Sequence, residues 1–244
     1  MAYKPGDDIV STSIVFKIAS FIVFYILLYP LAWIVCKLWY RFKIHGQQNL
    51  KGISKAVSVS NHTMFFDPVI IATVFFPKRV HQTLLEATVT APFLGTLTRL
   101  LGGVPIPRRD TGFAALKKGG EVIFKNSGYF HFYPEGECYL YNNVPKKFHP
   151  GAFVISVLLD VPVVPIVSVF HEKGKRPSVD IFVMEPVYPN DFGVLQKDNS
   201  INKDALNTYI DTVYSKILKK IQDEKGTGTY YRGAMERIPG INKE

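Results

Sequence analysis

The sequence predicts an α/β body: a central, largely parallel or mixed sheet flanked by helices, attached to an N-terminal membrane-anchoring helix or two-helix hairpin. Three observations predict it. Strand-like and helix-like segments alternate along the middle of the chain, the pattern of a sheet covered on both faces. Ahead of them lies IASFIVFYILLYPLAWIVC, residues 18–36, without one charged side chain. Behind them, Leu206, Tyr209, Ile210, Val213, Ile217 and Ile221 recur at three- and four-residue steps and mark an amphipathic packing helix. At 244 residues the chain suits one domain with appendages. It divides into an anchor (1–43), a body (44–224) and a Gly-punctuated tail (225–244).

The apolar run reaches back to Ile14 with only Lys17 interrupting. A helix over 14–36 would be about 35 Å long, enough for a hydrocarbon core of about 30 Å. Pro30 removes a backbone donor inside it, so one span and two helices broken near Tyr29, dipping into one leaflet, are both open. Cys36 is followed by Lys-Leu-Trp-Tyr instead of a small-residue cleavage site, which argues against a removed leader. Lys37, Arg41 and Lys43 follow the run, with Trp33, Trp39 and Tyr40 as interface aromatics, and place the body on the cytoplasmic side.

Within the body, 55–60 (KAVSVS) reads as a strand and 68–76 as an apolar helix entered through Asp67 and Pro68. HQTLLEA (81–87) is strand-like, and 91–103 is helical with a closing Gly pair. Residues 112–126 form a helix weakened by Gly119 and Gly120. Strands follow at 129–133, 161–170 and 178–184, with 152–159 helical between the first two.

The balance of 29 Lys and Arg against 20 Asp and Glu gives a formal charge of +9, which attracts polyanions. An anionic membrane explains both the charge and the anchor. Nucleic acid explains only the charge, and no zinc-finger or aromatic RNA-binding motif supports it. Cys36 and Cys138 form no CxxC pair, and no Cys/His cluster has metal-ligand spacing, so neither a disulfide framework nor a zinc site is expected.

The most informative stretch is VSVSNHTMFFDPVII, residues 57–71. On a straight helix His62 and Asp67 would lie about 140° apart. Asp67 before Pro68 suits a helix N-cap, however, so 60–66 can form a turn that swings the imidazole back to the carboxylate. A carboxylate on one ring N–H fixes the tautomer and leaves the other nitrogen free to take a proton. The plainer reading is a cap and a turn histidine that never meet. No GxSxG elbow or activated thiol supplies a nucleophile, so a His–Asp dyad here suits activation of a hydroxyl brought by the substrate.

Three further loops are chemically loaded. LGGVPIPRRD (101–110) places Arg108 and Arg109 after a strand-like segment, where guanidinium forks suit phosphate or carboxylate. FYPEGECY (132–139) turns through Pro134, Glu135 and Gly136. VPVVPI (161–166) carries two prolines, which argues for an edge strand or one lining a groove.

With NHTMFFDP, GGVPIPR, YPEGEC and VPVVPI in this order, the chain resembles the lysophospholipid acyltransferase family over residues 40–185, the family of the 1-acylglycerol-3-phosphate acyltransferases. The resemblance implies His62 as general base oriented by Asp67, and Arg108 as a binder of the acceptor phosphate; Arg109 and Lys146 are further basic candidates for the same phosphate. It implies Glu135 and Gly136 as shaping the acceptor site, and Val164, Pro165 and Ile166 as acyl-chain binding or sheet structure. It also implies a lysophospholipid acceptor, acyl-CoA or acyl-carrier protein as donor, and no cofactor or metal. Glu137 and Cys138 stand where the family commonly has Thr-Arg, and Glu86 and His149 where many members have lysine; Lys146 and Lys147 are the nearby basic replacements. The acceptor is therefore open between lysophosphatidate, another lysophospholipid and glycerol 3-phosphate. A hydrolase using the same dyad and a non-catalytic lipid carrier are the rival readings.

Overall fold

A computed structural model describes residues 3–107, 112–125, 128–173 and 176–225. Arg108 and Arg109, and the tail from residue 226, lie outside the described residues.

Helix α1 (Ile14–Phe21), a π-helical stretch (Ile22–Leu28) and α2 (Tyr29–Leu38) run on as one apolar helix, long enough to cross a membrane. The sequence left Pro30 as a straight passage or a break. The backbone takes a third course and widens, with the Tyr29 N–H bonding five residues back to the Phe24 carbonyl. A wider turn relieves the crowding that a proline ring causes in an α-helix. One side of this helix packs on the body: Arg79 lies over the Phe24 ring at 5.3 Å, the Tyr25 hydroxyl donates to the Pro77 carbonyl at 3.0 Å, and Tyr29 stacks on Phe76 at 4.1 Å. The other side exposes Ile14, Ile18, Ile22, Ile26 and Leu31. Trp33 and Trp39 are exposed as expected of interface aromatics, whereas Tyr40 is buried.

The sheet has seven strands: β1 (Lys43–His45), β2 (Lys55–Ser60), β3 (Val80–Leu85), β4 (Gly103–Ile106), β5 (Gly128–Phe132), β6 (Val163–Lys173) and β7 (Arg176–Val183). Their order is β1-β7-β6-β2-β5-β3-β4, with every neighbouring pair parallel except the β6–β7 hairpin. Between and after them come α3 (Asp67–Val74), α4 (Glu86–Thr90), α5 (Leu94–Leu100), α6 (Gly112–Ile123), α7 (Gly151–Leu158) and α8 (Lys203–Asp223). The α/β class holds, and the mixed form is the one realised.

Strand periodicity splits the core in two, because alternate residues face opposite sides. Val57, Val59, Val163 and Val167 meet α6, α7 and α8 through Leu116, Ile155 and Tyr209. Ala56, Val164 and Ile166 meet α3 through Ile70, Ile71 and Val74. All six apolar residues predicted for the C-terminal helix are buried on α8. Gly119 and Gly120, which read as weak points of α6, are sites of close approach: an added Cβ would stand 2.6 Å from Ile9 and 2.4 Å from Leu159.

Two expectations change, and one strand has no counterpart in the sequence reading. β3 stops at Leu85, and Glu86 opens the short α4 instead of continuing the strand. β1 is too short to show a period in sequence. β6 is interior, not an edge: Pro165 is tolerated because its nitrogen falls between the isolated Val163–Val187 bridge and the β7 ladder, which starts at Ile166.

Where β2 ends, Asn61 continues its pairing with a side chain. The buried Asn61 Nδ2 donates to the Ser168 carbonyl at 2.8 Å, and the Ser168 N–H donates back to Oδ1 at 2.9 Å. The backbone is thereby free to turn toward His62. Asn61→Ala would leave both groups of Ser168 buried and unpaired, so it should lower the unfolding free energy by about 2–4 kcal/mol. Denaturant titration of the two proteins measures this.

Candidate active site

The turn after β2 closes around one carboxylate. Asp67, 2 % exposed, bonds the His62 Nδ1 through Oδ2 at 2.7 Å. The same oxygen accepts the backbone N–H groups of Thr63 at 2.5 Å and Met64 at 2.9 Å, and Oδ1 accepts the Thr63 hydroxyl at 3.2 Å. The dyad expected from the five-residue spacing is formed.

The route to it differs from expectation. Asp67 is the first residue of α3, Phe66 stands at the cap position, and no side chain caps the helix. The Asp67 N–H bonds back to the Met64 carbonyl at 3.1 Å, which tightens the loop and brings its donors within reach of the carboxylate. The carboxylate therefore serves the loop behind it, and the helix ahead of it starts uncapped.

With Nδ1 committed to Asp67, Nε2 is the nitrogen left to take a proton. The ring lies flat on Tyr133, centroids 4.1 Å apart and planes at 23°. The Tyr133 hydroxyl donates to Gln82 Oε1 at 3.2 Å, and Gln82 Nε2 donates to the Pro68 carbonyl at 2.5 Å, tying the platform to the start of α3. Burial raises the Tyr133 phenol far above its ordinary range, with the Asp67 charge adding, so it stays neutral. Behind it, His131 is fully buried between Ser58 (2.9 Å) and Ser60 (3.1 Å). Burial, aided by the His62 charge, lowers its pKa to about 3, so His131 stays neutral.

Glu135 is a brace. Its two oxygens accept the backbone N–H groups of His62 and Lys146, each at 2.7 Å, and so join the dyad loop to the segment that follows the PEG turn. Burial pushes its carboxyl up to about 8, while the two N–H donors pull the other way. Gly136 adopts φ +65°, and a Cβ there would come within 3.2 Å of the His149 ring, so both the turn and the packing call for glycine. Glu137, the acid in place of a family threonine, stands 3.6 Å from the Lys146 ammonium, which also donates to the Tyr139 hydroxyl at 3.0 Å. Val164, Pro165 and Ile166 are buried in β6 opposite Ser58, Val59 and Ser60.

Cys138 reaches the dyad from 71 positions along the chain beyond Asp67, a proximity that no local spacing reveals. Its Sγ, the Asp67 carboxylate and a His62 ring nitrogen lie within 4.8 Å of one another. That triangle is a poor metal site, because Asp67 is already saturated with donors and burial drives the thiol strongly toward its protonated form. The same burial argues against a cysteine nucleophile.

From His62 an apolar cavity of about 470 Å³ extends between the N-terminal helix, α3 and α5. Phe24, Leu28 and Ala32 line it on one side, Ala72 and Leu97 on another, and Gly136 and Tyr133 at the dyad end. Ile106, two positions before Arg108, lines it too.

Fold and site define an α/β protein with a long apolar N-terminal helix and an imidazole oriented by a buried carboxylate. The fold matches the crystal structure of the 1-acyl-sn-glycerophosphate acyltransferase PlsC from Thermotoga maritima, with a TM-score of 0.57 and 16% identity over 88% of this chain and 97% of that one. A family model described as Acyltransferase matches residues 41–169, and the chain belongs to that family. Among curated relatives, the chloroplastic 1-acyl-sn-glycerol-3-phosphate acyltransferase BAT2 of Brassica napus is 31% identical over 144 residues, covering 54% of this chain and 40% of the relative. The human lysophospholipid acyltransferase LPCAT4 is 27% identical over 132 residues, covering 52% of this chain and 23% of the relative. The chain thus spans less than half the length of these curated relatives.

Glu135 gives the site a pH signature. Its folded pKa of about 8 lies above its ordinary value of 4.5, so the folded protein binds more protons than the unfolded chain between the two. The stability contribution is complete below pH 4.5 and is lost as pH rises toward 8. The unfolding free energy of the native protein, compared with Glu135→Gln, should fall by several kcal/mol across that window. Urea melts at a series of pH values measure the difference.

Proposed function

We propose that the protein is a membrane-associated O-acyltransferase. It moves a fatty acyl group from acyl-CoA or acyl-carrier protein to the free hydroxyl of a lysophospholipid, with 1-acylglycerol-3-phosphate the favoured acceptor and phosphatidic acid the product. The observation that carries the proposal is the Asp67-bound His62 at the end of an apolar cavity of about 470 Å³.

His62 Nε2 removes the hydroxyl proton, and the oxygen attacks the thioester carbonyl. The tetrahedral intermediate collapses, the C–S bond breaks, and the thiolate leaves with the proton that His62 returns. Asp67 stabilises the imidazolium that exists between these events. General-base assistance of this kind is worth about 10²–10⁴-fold. The acceptor phosphate falls to Arg108, with Arg109 and Lys146 as secondary cations. The apolar cavity takes an acyl chain.

The N-terminal helix both walls that cavity and exposes Ile14, Ile18, Ile22 and Ile26. A helix so packed along the body suits partial insertion into one leaflet, with Lys37, Arg41 and Lys43 on the cytoplasmic side. The lipid acceptor then reaches His62 without crossing water.

Purified protein given labelled acyl-CoA and lysophosphatidate should form diacyl lipid. Free fatty acid alone would identify a hydrolase, and retention without product a carrier. His62→Ala should lose transfer by about 10²-fold or more with the fold intact. Ala32→Phe, which narrows the cavity on its N-terminal-helix side, should move the donor preference to shorter chains with little change in acceptor KM. A panel of donor lengths reads this directly.

A further inference from the structure

A second cavity, of about 230 Å³, lies at the N-terminal ends of β3 and β4, the end of the sheet opposite His62. Lys17, Arg79 and Arg99 line it together with His81, Ser11 and Ser20, and no carboxylate does. The volume is several times the ~30 Å³ that one water occupies in the liquid.

The basic groups are held in place. The Arg79 Nη2 donates to the Ser20 hydroxyl at 2.5 Å and to the Leu100 carbonyl at 2.6 Å, while its buried Nε has no partner among the described residues. Arg99, 8 % exposed, lies over the rings of Tyr3 (5.3 Å) and Phe16 (5.4 Å). The His81 Nδ1 is likewise shut off from solvent and unpartnered. Burial and the nearby Arg79 charge lower the His81 pKa to about 3, so the ring is a neutral donor or acceptor there. Asp8 gives its carboxylate to Lys118 at 2.6 Å and Asp7 acts on Arg99, so the guanidinium that lacks a counter-charge is that of Arg79, whose hydrogen-bond partners among the described residues are neutral.

Burying a guanidinium without a counter-charge is costly unless something anionic completes the site. Lys17, the single charge in the apolar run from Ile14, is exposed at this cavity beside the outward-facing Ile14, Val15 and Ile18. We infer that this cavity is a second phosphate-binding site, separate from the acceptor site, which seats the headgroup phosphate of an anionic phospholipid while the neighbouring helix residues enter the bilayer. Arg79 and Arg99 bind the phosphate oxygens, Lys17 guards the mouth, and Ser11 and the imidazole supply neutral hydrogen bonds.

Two probes test this on the full chain: vesicles of phosphatidylcholine with or without phosphatidylglycerol, and inorganic phosphate followed by thermal unfolding in neutral detergent. The native protein should prefer the phosphatidylglycerol vesicles. Arg79→Gln and the surface change Lys17→Glu should each weaken that preference about fivefold or more, the size expected for one basic residue at a membrane. Lys219→Glu on α8 and Arg108→Gln should leave it unchanged. Stabilisation by inorganic phosphate that Arg79→Gln abolishes would show that the free ion suffices, and its absence beside an intact lipid preference would show that the lipid-borne group is required. Both support the site. No preference in the native protein, an equal loss in Lys219→Glu, or a loss confined to Arg108→Gln would overturn it, since binding would then be absent, diffuse or at the acceptor site. Lys17→Glu lies outside the catalytic machinery, so transfer to a soluble short-chain acceptor should persist and keep this test independent of the acyltransferase reading.

Discussion

A single buried carboxylate organises the active end of this molecule. Asp67 collects the imidazole of His62 and the backbone donors of Thr63 and Met64, and without its side-chain oxygens the turn that presents the histidine would hold inward-facing N–H groups and no acceptor. Charge-assisted bonds of this kind are short and about twice as strong as neutral ones. They also fix which ring nitrogen carries the proton, so the fold of the loop and the tautomer of the ring are one arrangement of atoms. Pro68, next in sequence, starts α3 without needing the N–H it lacks.

The sheet supplies the frame on which that arrangement rests. β2 lies between β5 and β6, so the turn after it is flanked by the turn that follows β5 and by β6, which runs on past the end of β2. From the β5 side come the Tyr133 platform and the Glu135 brace; from the β6 side comes the backbone of Ser168 that Asn61 pairs. His131, pinned between two serines, fills the space beneath with a group that stays neutral. Precise placement of a base depends on such supporting contacts more than on the base itself. The N-terminal helix adds a wall that the sheet cannot provide, with Phe24, Leu28 and Ala32 lining the apolar cavity.

Local signals were legible in the sequence, and long-range ones were not. The alternation of apolar residues in KAVSVS and the six-residue stripe of α8 follow from periodicity, and both elements formed where that periodicity placed them. The His62–Asp67 contact was legible because five residues and a proline restrict the loop to few shapes. The direction in which Asp67 bonds was not, since a cap and a loop anchor share one sequence. Tyr133, His131 and Cys138 became part of the site through β2–β5 pairing and the turn after it, and nothing within a few residues of His62 marks them. Gly119 and Gly120 illustrate the same limit: helix propensity reads them as weakness, while their neighbours Ile9 and Leu159 come from distant segments. Pro30 forced a choice between straight and broken helix, and the widened turn lay outside that choice.

The central claim is that His62 acts as a base because Asp67 holds it in one tautomer. Single-turnover acyl transfer by Asp67→Asn tests this most directly, with near- and far-ultraviolet circular dichroism to follow the fold. An amide can keep the volume of the carboxylate but removes the charge that stabilises the imidazolium. The account predicts a chemical step slower by about 10²–10⁴-fold in a protein that remains folded. Transfer at the native rate would contradict it.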